Sequence, residues 1–143
     1  MNNAVRELIE LLNKNEFIDR VTIEGDNSLV LDFVHEKRSI HNRTVRGRSI
    51  LKVSLEQSCV FITTIYQIDE AFTDESIFKI SKKLESLEQY SCGHQAISSS
   101  PPELILNFQA PLANGVVDSD AINGMLSECN SAFIYVEDSL WIE

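Results

Sequence analysis

Two apolar periods take turns along this chain, and their order limits the folds open to it. Val5, Leu8, Ile9 and Leu12 recur at helical spacing, which predicts an amphipathic helix over about residues 3–14. A period of two then takes over. Arg20–Glu24 and Ser28–Val34 flank Gly25-Asp26-Asn27, residues that tolerate turn geometry, and Leu29, Leu31 and Phe33 alternate on one face of the second segment. Ile50–Leu55 and Cys59–Ile68 form a second hairpin around Glu56-Gln57-Ser58. Its second arm is rich in the β-branched and aromatic residues of a central strand.

The helical period returns at Thr73–Leu87. Thr73 is the N-cap, Asp74 and Glu75 occupy the first turn, and Lys79, Lys82 and Lys83 come later, as the helix dipole favours. Phe72 and Ile77 are spaced for a hydrophobic staple. Ile77, Ile80, Leu84 and Leu87 form the buried stripe, with Phe78 on the opposite side as a candidate dimer contact. His94–Ser98 reads as a short strand and Ser98-Ser99-Ser100-Pro101-Pro102 as a turn. Glu103–Gln109 alternates through Leu104, Leu106 and Phe108. Asp118 caps a third helix with a face of Ala121, Ile122, Met125, Leu126 and Cys129. Ala132-Phe133-Ile134-Tyr135-Val136 reads as a C-terminal strand, before an apolar end, Leu140-Trp141-Ile142.

The predicted architecture is α+β, an antiparallel sheet with helices packed on one face. Its order is α-β-β-β-β-α-β-β-α plus a C-terminal strand, within a single domain over residues 1–143. That length can bury a substantial core, and the 43% apolar content is that of a folded chain. Charges interrupt the apolar residues of Met1–Glu16, so neither a secretory leader nor a membrane span is expected, and the expected location is the bacterial cytoplasm. Cys59, Cys92 and Cys129, scattered and odd in number, read as reduced thiols. Cys59 and Cys129 lie in apolar segments and read as core residues.

The net charge of −10 is unevenly spread. Residues 1–52 hold nine of the twelve Lys and Arg against eight acids, whereas residues 84–143 hold nine acids and no Lys or Arg. An anionic C-terminal part repels nucleic acid and anionic membranes and favours a cationic partner. Lys37, Arg38, Arg43, Arg46, Arg48 and Lys52 form a basic stretch. No stacking aromatic lies among them, which argues against nucleic acid and for a solvated loop, or one that docks on an acidic surface of a partner or second subunit.

Catalytic patterns are sparse. Neither G-x-S-x-G, G-x-x-x-x-G-K-[ST] nor G-x-G-x-x-G occurs, and the chain has five glycines. Cys92-Gly93-His94 is the best thiol or metal constellation, but a closed zinc site needs four ligands and His35 and His41 belong to another segment. Asp69-Glu70, Asp74-Glu75, Asp118 and Asp120 stand at helix starts, where acids suit the dipole. No enzyme activity, metal or cofactor is expected.

From Gly47-Arg48-Ser49-Ile50 onward the chain resembles the type III secretion chaperone-like families, which include CesT-type chaperones and YbjN-like proteins. The resemblance rests on the hairpin through Cys59–Ile68 and the acid-started helix Thr73–Leu87. It continues through the strand ending Pro102-Glu103-Leu104-Ile105-Leu106-Asn107-Phe108-Gln109-Ala110-Pro111-Leu112 and the helix Asp118–Cys129. It implies a homodimeric binding protein without a catalytic site. The chaperones wrap an extended effector segment, and the YbjN-like proteins have regulatory roles. The basic insert at 35–48 and the strand-like Phe133–Val136, in place of a long final helix, favour the YbjN-like side.

The expected function is therefore a non-catalytic, chaperone-like or regulatory module binding an effector, regulator or toxin on a sheet edge or helix face. Phe78, Leu104, Leu106 and Phe108, with Arg43, Arg46 and Arg48, are the candidate protein-binding residues. Two rivals are an acidic immunity or antitoxin-type inhibitor, and a thiol enzyme using Cys92 with His94.

Overall fold

A computed structural model describes residues 3–33, 39–40, 43–68, 74–87, 89–97 and 103–139. Helix α1 (Asn3–Asn13) precedes strands β1 (Ile18–Gly25), β2 (Ser28–Phe33), β3 (Ser39–Ile40), β4 (Arg43–Ser54) and β5 (Cys59–Ile68). Helix α2 (Asp74–Leu84), strands β6 (Ser91–Ile97) and β7 (Glu103–Pro111) and helix α3 (Ser119–Ser139) follow. The strands form an antiparallel sheet ordered β1-β2-β4-β5-β7-β6, and two-residue β3 pairs with β4 off this path. The α+β order is the expected one.

Alternation along the strands sends one set of side chains into a single core. Leu29, Leu31 and Phe33 of β2, Leu51 and Val53 of β4, Val60, Ile62 and Tyr66 of β5, and Leu104, Leu106, Phe108 and Ala110 of β7 are all buried. The helices add Val5, Leu8 and Leu12 from α1, Ile80 and Leu84 from α2, and the apolar face of α3 to the same cluster. Burying a large apolar side chain contributes roughly 1.5–3 kcal/mol, so this shared face is the main source of stability. The buried hydroxyls of Ser49 and Thr64, opposite each other on β4 and β5, bond at 2.8 Å and so satisfy one another.

The expected C-terminal strand is instead the second half of α3. Phe133, Ile134, Tyr135 and Val136 favour strands locally, yet Cys129, Ala132, Phe133 and Val136 keep the helical spacing of the preceding stripe and all are buried. Phe133 meets Phe33 edge-on at 4.6 Å between centroids and Tyr66 at 5.5 Å, so tertiary packing overrides propensity. The lack of a long final helix, which favoured the YbjN-like side, is thereby removed.

The basic stretch is also corrected. Arg43–Arg48 is the first half of β4, paired with β5 from Val45↔Ile68 onward, not a loop. Among the described residues, pairing with β2 covers Ser49–Lys52, while the basic half pairs with β5 and β3.

Asp118 caps α3 as expected: its carboxylate accepts from the Asp120 and Ala121 backbone N–H groups at 3.1 and 3.3 Å. Gly124 lies under the Tyr90 ring. A Cβ there would fall 2.7 Å from Tyr90 Cε2, which accounts for a glycine inside a helix. Thr73, Phe72, Ser98–Pro102 and Leu140–Ile142 lie outside the described residues, as does the Ile77 side chain.

Candidate protein-binding surface

With the three helices of the described residues on one side, the other side of the sheet is, among those residues, a distinct surface. The side chains pointing there come from the second parity of each strand. Val30 of β2 stands beside Ile50 of β4, which faces Thr63 of β5 and, beyond it, Asn107 of β7. Ile65 of β5 stands opposite Ile105 of β7, and Phe61 lies between Lys52 and Gln109. Val30, Ile50, Phe61, Ile65 and Ile105 are half-buried, and none packs against the core cluster. An antiparallel sheet with a wet face normally turns polar residues outward, so five apolar ones there form a patch suited to a partner.

Polar groups frame the patch. On the β1 side, Arg20 pairs with Asp32 at 2.9 Å and Arg48 with Glu24 at 3.0 Å. Both pairs are exposed, so they orient more than they stabilise. Within the patch, Thr63 donates to Asn107 at 3.1 Å, and on the β6 side the Gln109 amide donates to Cys59 Sγ at 3.1 Å. An apolar centre with a polar rim is the anatomy of a protein interface.

The structure separates the residues singled out from sequence. Leu104, Leu106 and Phe108 are 1% exposed and face the helices. Their alternation was read correctly as one face, but that face is the covered one, so they leave the binding candidates. Phe78 is 59% exposed on α2, with Lys82 Nζ 4.8 Å from its ring centroid. Arg48 is exposed and ion-paired, and Arg43 and Arg46 share its strand, their side chains lying outside the described residues. The residues that sequence reasoning missed are the five of the outer patch. Their signal was present in the adjacent apolar pairs Ile50-Leu51, Phe61-Ile62 and Ile105-Leu106, which make both faces of a strand apolar.

Cys92 and His94 do not act on each other. His94 Nε2 bonds Ser81 Oγ of α2 at 2.8 Å, while Cys92 Sγ lies 3.6 Å from both the Tyr90 carbonyl and Gln109 Oε1. Burial pushes the Cys92 thiol up, and the nearby Cys59 and Glu128 push it further. That is opposite to the lowered pKa of a nucleophilic cysteine. The three cysteines are free thiols. Cys129 is buried as expected, whereas Cys59 is only half-buried and bonds Gln109.

Burial likewise raises the Glu128 carboxyl, partly offset by the backbone N–H groups of Tyr90 and Gln89. Among the described residues, no group of three or more His, Cys, Asp or Glu side chains is placed to hold a metal ion. Among the same residues, no helix is long and apolar enough to cross a membrane. A groove of about 670 Å³ between the end of α1 and α3 is lined by Leu11, Lys14, Phe17, Asn123 and Ser127, with the Asn15 and Asn123 amides bonded at 3.3 Å.

No protein-family model, curated protein or solved structure matches the chain.

Proposed function

We propose that this protein is a non-catalytic module that binds another polypeptide on the helix-free face of its sheet, in a chaperone-like or regulatory role in the bacterial cytoplasm. The observation that carries the reading is the patch of Val30, Ile50, Phe61, Ile65 and Ile105 on that face, rimmed by ion pairs and amides. Its apolar centre supplies binding energy, and its rim sets register and excludes unlike partners. The resemblance to the secretion chaperone-like families belongs to the same proposal. It is supported by the α-β-β-β-β-α-β-β-α order, which holds when two-residue β3 is set aside, and by a long closing helix.

The reading includes a homodimer, for which exposed Phe78 on α2 is the candidate contact. An effector, a regulator or a toxin all fit as partners. The acid-rich stretch 84–143 favours one with a basic surface, and so also suits an inhibitor of a basic enzyme.

Ile65→Asp tests the patch. The variant places a charge beside Ile105 in the patch and away from the core cluster, and is expected to keep the fold while losing polypeptides that co-purify with the wild type. Retention of the same polypeptides at the same yield would overturn the reading.

A further inference from the structure

The two edges of the sheet differ in how they are guarded. An edge strand turns unpaired N–H and C=O groups outward, and natural edges are blunted with charge, proline or bulges. β1 carries Asp19, Arg20 and Glu24 in eight residues, and its pairing with β2 shifts register near both ends. β6 reads Ser-Cys-Gly-His-Gln-Ala-Ile, with no proline, acid, lysine or arginine. Its one irregularity lies between Ser91 and Gly93, and from Gly93↔Asn107 to Ile97↔Glu103 its register with β7 is unbroken. Among the described residues no strand pairs with its other side.

A groove of about 350 Å³ runs beside this edge, between it and α2. Leu84 and Leu87 give it an apolar floor, and Ser81, Glu85 and His94 stand along it. An incoming strand on β6 would find backbone partners on one side and a slot for alternate side chains beside it, which are the two requirements of strand addition.

We propose that β6 is a docking edge for an extended segment of another protein that alternates apolar and basic residues. The proposal rests on the protein-binding reading and names the edge and the chemistry of the segment. Charge selects the occupant. Residues 84–143 hold nine acids and no Lys or Arg, and Glu85 lines the groove while Glu103 ends the β7 segment opposite Ile97. The lysines of α2 stand outside the groove lining, where Glu85 is the one ionised side chain: Lys79 pairs with Glu75 at 3.6 Å, Lys82 lies over the Phe78 ring, and Lys83 lies 5.9 Å from the Tyr135 ring centroid. A second copy paired through the same edge would bring two acid-rich halves together, and like-charge juxtaposition opposes that.

The test uses the full chain, labelled with nitrogen-15 and titrated with a short peptide alternating valine and lysine. A valine–glutamate peptide is the counterpart. The lysine peptide is expected to shift the amides of β6 and of the groove side of α2, and to bind at least about tenfold tighter than the glutamate peptide at low salt. Gln95→Lys installs on β6 the kind of charge that guards β1, and should weaken the lysine peptide about tenfold or more. Thr22→Lys on β1 should leave it unchanged. Shifts that map to β1 or elsewhere, equal affinity for both peptides, or a doubled mass that Gln95→Lys abolishes would each overturn the proposal. Co-purifying polypeptides lost in Ile65→Asp but fully retained in Gln95→Lys would overturn the edge while leaving the outer patch standing.

Discussion

Phe133 and its neighbour Ile134 place the helical register of the C-terminal segment on two side chains. Phe133 is 1% exposed between Phe33 and Tyr66, whereas Ile134 is 37% exposed. Phe133→Ala should cost about 3–5 kcal/mol by leaving a cavity among aromatic rings, and Ile134→Ala less than about 0.5 kcal/mol. Urea unfolding of the pair checks this, and equal losses would contradict the register. Glu128 gives a pH-dependent counterpart. Burial raises its folded pKa, and its Oε2 is buried with no hydrogen-bond partner among the described residues. A raised carboxyl pKa means that the ionised form opposes folding. The penalty is present above the folded pKa and is lost as pH falls below the unfolded one. Glu128→Gln keeps an acceptor for the Gln89 N–H at 3.3 Å. It should therefore melt higher than the wild type at pH 7, with the gap closing on acidification; a gap that widens in acid would contradict the assignment.

At the scale of elements, Gly124 shows how a local weakness serves packing. A mid-helix glycine costs about 1 kcal/mol relative to alanine, so Gly124→Ala would stabilise an isolated α3. Here the added methyl meets the Tyr90 ring at 2.7 Å, and Tyr90 leads into β6. Gly124→Ala is expected to lower the melting temperature and to raise amide exchange at Tyr90–Gly93; a higher melting temperature with unchanged exchange would contradict the contact. The elements also show what was legible in sequence. The stripes of α1 and α3 as far as Cys129, both hairpins and the Asp118 cap follow from spacing and turn chemistry, which are local. The second half of α3 was not legible, because Phe-Ile-Tyr-Val favours a strand until Phe33 and Tyr66 are in place to receive Phe133. Arg43–Arg48 has the composition of a loop because three arginines and a glycine in six residues obscure a strand held by pairing with β5. Asn114-Gly115 carries a local turn signal: both have positive φ, 54° and 78°, in a tight turn closed by reciprocal bonds between Ala113 and Val116.

For the whole molecule, the decisive property is which face of the sheet the helices choose. Alternation in β7 showed that Leu104, Leu106 and Phe108 share a face, but period two is symmetric and does not say whether that face is covered. The binding candidates drawn from β7 therefore fell in the core, while the open face emerged only once α1, α2 and α3 were placed. Charge behaves differently, since the acid-rich 84–143 stretch was fully legible and acts at a distance irrespective of register. The account thus joins a legible field to a surface that the assembled layers create.

Site-specific photo-crosslinking tests that surface most directly. A benzophenone side chain placed at Ile65, in the open patch, or at Asn123, on the exposed side of α3, is irradiated in the cells that make the protein. The account predicts a discrete polypeptide adduct from Ile65 and a much weaker one from Asn123. Adducts of equal strength from both positions, or a strong adduct from Asn123 alone, would contradict it.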